Sequence, residues 1–82
     1  MKTMICKQLG GACDLAFQGE TFEVVAQLSQ AHGAAMFLSQ DEAHTAAMQA
    51  MMGLAKDPQA LTDWMKARRR EFEALPDDPA DG

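Results

Sequence analysis

Two cysteines and two histidines, Cys6, Cys13, His32 and His44, are the residues of this chain best suited to chemistry. Thiolates and imidazoles are the ligands that zinc prefers, and a structural zinc site takes four of them in a tetrahedron. Six residues separate the cysteines and eleven the histidines, unlike the close pairs of common zinc fingers. A site built from these four therefore needs the fold to bring distant positions together. Two other readings stand beside it. Small thiols also pack as ordinary hydrophobes and a histidine on an apolar helix face often bonds only backbone, while two nearby cysteines can act as a redox pair if their Cα atoms come within about 7 Å. A Cys13 and His32 nucleophile and base lack an identifiable orienting residue or oxyanion loop, so no enzyme is expected.

The elements that must position these residues can be read from periodicity. Thr3 to Lys7 and Cys13 to Gln18 alternate as strands do, with Met4 and Cys6 on one face of the first and Cys13, Leu15 and Phe17 on one face of the second. Paired glycines in Gln8-Leu9-Gly10-Gly11-Ala12 suit the loop of a hairpin that points both thiols the same way. Thr21 is a good N-cap for a helix from Phe22 to about Leu38, whose apolar stripe is Val25, Leu28, His32, Ala35 and Met36. Ser39-Gln40-Asp41-Glu42 reads as a capping box opening a second helix to about Ala55, with His44, Ala47, Met48, Met51, Leu54 and Ala55 on one face. Asp57-Pro58 starts a third helix carrying Leu61, Trp64, Met65, Arg68, Phe72 and Leu75, which ends at Pro76. The expectation is an α+β fold, a small N-terminal two-stranded β-hairpin packed with three α-helices. Residues 1–76 form a single small domain and 77–82 a disordered acidic tail. Both histidines then face the interior onto which the thiols point.

Composition bounds the function. Eighty-two residues with 48% hydrophobic side chains make one small folded domain. Such a domain buries only about 60% of its unfolded surface, so a metal would supply stability that the core lacks. A net charge of −5 argues against nucleic acid or an anionic membrane as partner. No apolar run approaches the ~18 residues of a spanning helix. The start lacks the pattern of a secretory signal, because Lys7 interrupts the apolar run after Lys2. A cytoplasmic protein with reduced thiols is expected. Arg68-Arg69-Arg70 reads as a solvated helix end, with Arg69 paired to Glu73 and Arg68 lying along or stacking on Trp64. Met36, Met48, Met51, Met52 and Met65 fill gaps among alanines or line a partner-binding groove. The second and third apolar stripes exceed what a hairpin can cover, which suggests a homodimer or a protein partner.

The run from Cys6 to Asp14, then Phe17-Gln18-Gly19-Glu20-Thr21, then His32, then Asp41-Glu42-Ala43-His44 resembles a family of short bacterial and archaeal proteins known as predicted small metal-binding proteins, whose domain is of unknown function. The similarity extends from Met1 to the Ala74-Leu75-Pro76-Asp77 ending, and the cysteine-flanked Gly-Gly segment followed by Gly-Glu-Thr is its most specific part. The resemblance implies Cys6, Cys13 and His32 as metal ligands, with His44 matching the later histidine of longer members. Many shorter members place a second histidine a few residues after the first, where this chain has Gly33-Ala34-Ala35-Met36-Phe37.

Overall fold

The computed structural model describes residues 1–79. Strands β1 (Lys2–Ile5) and β2 (Ala16–Gly19) pair antiparallel, with Lys2 opposite Gly19 and Met4 opposite Phe17. Helices α1 (Phe22–Leu38), α2 (Glu42–Ala55) and α3 (Pro58–Ala74) follow, giving the expected α+β order of hairpin then three helices.

The hairpin differs in its connection. Cys6 leaves the strand and opens a 3₁₀ turn, Cys6–Leu9, in which the Gln8 side-chain oxygen accepts the Ile5 N–H at 2.8 Å. Gly10 closes the turn at φ 89°, a left-handed conformation that costs glycine nothing. Two bonds outside the regular ladder, Cys6 N–H to the Leu15 carbonyl at 2.8 Å and Lys7 N–H to the Cys13 carbonyl at 3.0 Å, keep the cysteine-bearing segments side by side. Because 13–15 is not regular strand, the anticipated alternation fails there: Leu15 is 49% exposed while Phe17 is buried.

Met4, Cys6, Phe17, Phe22, Val25 and Phe72 form the core, where one hairpin face meets the start of α1 and the end of α3. The Phe22 and Phe72 rings meet edge to face at 6.2 Å, a preferred aromatic geometry. Arg69 pairs with Glu23 rather than with the anticipated Glu73, and its guanidinium lies over the Phe22 ring, which ties α3 to α1. Arg68 stacks on Trp64, with 5.2 Å from guanidinium carbon to ring centre.

Helix boundaries follow their caps. Thr21 accepts the Val24 N–H, and Asp57 accepts from Gln59 and Ala60 ahead of the Pro58 start. The start of α2 corrects the capping-box reading. Asp41, not Ser39, is the N-cap, because Ser39 already closes α1 and donates its hydroxyl to the Met36 carbonyl at 2.9 Å. Gln40, at φ 62°, then reverses the chain and moves the next helix two residues on.

The acidic end is engaged through Asp78. Its N–H donates to the Met1 carbonyl at 2.6 Å, and its carboxylate accepts from Thr3 and from Gln18, each at 2.7 Å. The tail expected over 77–82 thus has Asp78 bonded to both strands, while 80–82 lie outside the described residues. No helix among the described residues is long and apolar enough to cross a membrane.

Candidate metal centre

Each of the four sequence-selected residues comes from a different structural element or junction. Cys6 sits where β1 passes into the 3₁₀ turn, Cys13 lies in the segment returning to β2, His32 is in the middle of α1, and His44 is in the first turn of α2. The ligand atoms of all four lie within 4.8 Å of one another. Cys6 Sγ is 3.6 Å from His44 Nε2, Cys13 Sγ is 3.4 Å from His32 Nε2, and the two Nε2 atoms are 3.2 Å apart.

These separations can be compared with a coordination shell. A tetrahedron with metal–sulfur distances of about 2.3 Å and metal–nitrogen distances of about 2.05 Å has edges of about 3.6 Å between sulfur and nitrogen, about 3.3 Å between nitrogens and about 3.8 Å between sulfurs. The three measured separations fall close to those edges. Since no pair exceeds 4.8 Å, the other three edges would close by about 1.2 Å at most. The donor set, two soft sulfurs and two imidazoles, is that of a structural zinc site. Cys6, Cys13, His32 and His44 are therefore of the right chemical types, and close enough together, to hold a metal ion.

The surroundings hold the donors in place. Asp41 Oδ2 accepts the His44 backbone N–H at 2.9 Å and contacts His44 Nδ1 at 2.6 Å, so one carboxylate caps α2 and orients the ring. That contact assigns the ring proton to Nδ1 and leaves the Nε2 lone pair facing the sulfurs and His32. A metal-ligating histidine almost always gives its second nitrogen to such a partner. The Asp41 hydrogen bond raises the His44 pKa against the opposing effect of burial, and the same bond holds the Asp41 carboxyl below its ordinary value. The His44 side chain is 9% exposed. The two imidazoles meet nearly at right angles, 84° with centres 5.0 Å apart, and Phe17 props His32 from 5.7 Å.

Gly11 controls the position of the Cys6 sulfur. Its N–H donates to the Cys6 carbonyl at 2.9 Å, and a Cβ placed on it would sit 2.0 Å from Cys6 Sγ. Only a residue without a side chain permits that approach. Beside the centre lies an open apolar cleft of roughly 530 Å³, with Cys6 and His44 on one wall and Met48, Met51, Trp64 and Met65 on others, a volume in the usual range for ligand sites.

Sequence reasoning singled out the four residues that the fold brings together and missed the residues that support them. The Asp41-Glu42-Ala43-His44 spacing was a signal for the first, since an N-cap aspartate can reach a histidine three residues on. Nothing in the sequence distinguished the role of Gly11 from that of a turn glycine. Comparison of the chain with protein-family models, curated proteins and solved structures finds no match. The chemistry of the centre is therefore argued from its geometry.

Proposed function

We propose that this protein binds a zinc-type ion through Cys6, Cys13, His32 and His44, and that the ion stabilises the fold or is carried by it. The observation that bears most weight is the convergence, to within 4.8 Å of one another, of four suitable side chains from separate parts of the chain. Four protein donors complete a tetrahedron and leave no position for a reactive water, which favours a structural or carrying role over hydrolysis. Asp41 adds the outer partner that such a site uses. Reduced thiols suit a cytoplasmic setting.

Metal should also offset the thinness of the core. Every α2 side chain remains at least partly exposed, so ligation by His44 would be the strongest tie between that helix and the hairpin. An ion present at 1,000 times its Kd adds about 4 kcal/mol to stability. The test is elemental analysis of the purified chain followed by melting with and without chelator. Near-stoichiometric zinc and a large chelator-induced fall in Tm support the reading; a metal-free chain whose melting ignores both zinc and chelator refutes it.

A second reading is favoured by the apolar cleft and by exposed Phe37, Leu38 and Met52. On this reading the Met- and Ala-rich helices bind a second copy or another protein without metal. A concentration-dependent mass in solution that is indifferent to chelator would support it.

A further inference from the structure

The two sulfurs of the centre differ in access. Cys6 is 2% exposed and pinned beneath Gly11, whereas Cys13 is only half-buried. Both are free thiols, and their sulfurs lie no more than 4.8 Å apart. The Cys6 to Leu15 and Lys7 to Cys13 hydrogen bonds hold the two cysteine-bearing segments side by side, with the cysteines on a diagonal. The intervening Gly10-Gly11-Ala12 supplies a short, adaptable connection.

Resting on the metal-site reading, we propose that Cys6 and Cys13 form a peroxide-sensitive dithiol whose oxidation to a disulfide removes the sulfur half of the site. The more accessible Cys13 thiolate attacks one oxygen of hydrogen peroxide, the O–O bond breaks, and hydroxide leaves while the sulfur loses two electrons to become a sulfenic acid. The Cys6 thiolate then attacks that sulfur; the S–S bond forms, the S–O bond breaks and a second hydroxide departs. Two thiolates, one peroxide and two protons thus give one disulfide and two waters. The remaining imidazoles, His32 and His44, cannot complete a four-donor shell, so metal is released. A thiol reductant reverses the change.

The experiment treats zinc-loaded protein with hydrogen peroxide beside a chromogenic chelator, and takes intact masses without reductant. Expected is zinc release in step with a loss of two hydrogens from the single chain, with dithiothreitol restoring both thiols and zinc binding. Three results overturn the proposal: zinc retained under excess peroxide, masses that rise by added oxygen with no disulfide, or a disulfide that joins two chains. The metal-free chain is treated in parallel. If the protein never takes up zinc the metal reading fails, while the presence or absence of the two-hydrogen loss still decides the dithiol. Cys13→Ser should abolish that loss, and persistence of the loss in that variant would overturn the pairing.

Discussion

Gly11→Ala removes no donor atom, yet it should weaken the centre severely. The new Cβ would lie 2.0 Å from Cys6 Sγ and 3.0 Å from the Cys6 carbonyl oxygen, where van der Waals contact needs roughly 3.5–4.0 Å. The sulfur must retreat by more than about 1 Å, whereas a metal–ligand distance tolerates about 0.2 Å of error. The carbonyl cannot retreat without losing its 2.9 Å bond from the Gly11 N–H. Overpacking of this kind costs about 1–3 kcal/mol in its own right. Zinc affinity should fall by about 10- to 100-fold, as when an outer-shell partner is lost. The assay is competition against a chromogenic chelator, with melting curves taken with and without chelator. Wild-type curves should separate widely and those of the variant should converge. Gly33→Ala is the control: it lies in α1 beside His32, its Cβ meets nothing within 4 Å, and it should stabilise by about 0.5–1 kcal/mol. Wild-type zinc affinity in Gly11→Ala would refute the reasoning.

Asp41→Asn should retain the start of α2, since asparagine caps nearly as well as aspartate, but lower zinc affinity about 10- to 100-fold by weakening the support of His44 Nδ1; titration of the variant checks this, and unchanged affinity would mean that the carboxylate serves the helix alone. Asp78→Asn should lower Tm at neutral pH through weakened bonds to Thr3 and Gln18. Those bonds depress the Asp78 pKa below its ordinary 3.8, so their contribution is complete above that value and is lost as pH falls through the lower folded value. The wild-type and Asp78→Asn melting temperatures should therefore converge in acid, and a gap that stays constant with pH would contradict the assignment. Acidification should also release zinc, because thiolates and imidazoles bind metal only when deprotonated; a pH titration of bound zinc should show loss through the mildly acidic range.

The four candidate ligands were legible because their types are few and helical phase places both histidines on apolar faces. Their convergence was legible only as a consequence of packing helices onto a hairpin. What stayed hidden was decided by backbone conformation. Ser39-Gln40-Asp41-Glu42 satisfies a capping pattern from either Ser39 or Asp41, and the positive φ of Gln40 selects the second. Alternation suggested a longer second strand, but the 3₁₀ turn at Cys6 and the irregular pairing of Lys7 with Cys13 shorten it. Asp78 resembled a solvated tail residue because its partners, Thr3 and Gln18, lie more than fifty positions away.

X-ray absorption at the zinc edge of the purified protein tests the central claim most directly. One zinc per chain is predicted, with two sulfur neighbours at about 2.3 Å and two nitrogens at about 2.0–2.1 Å. A shell of nitrogen and oxygen without sulfur, or no bound zinc at all, would contradict it.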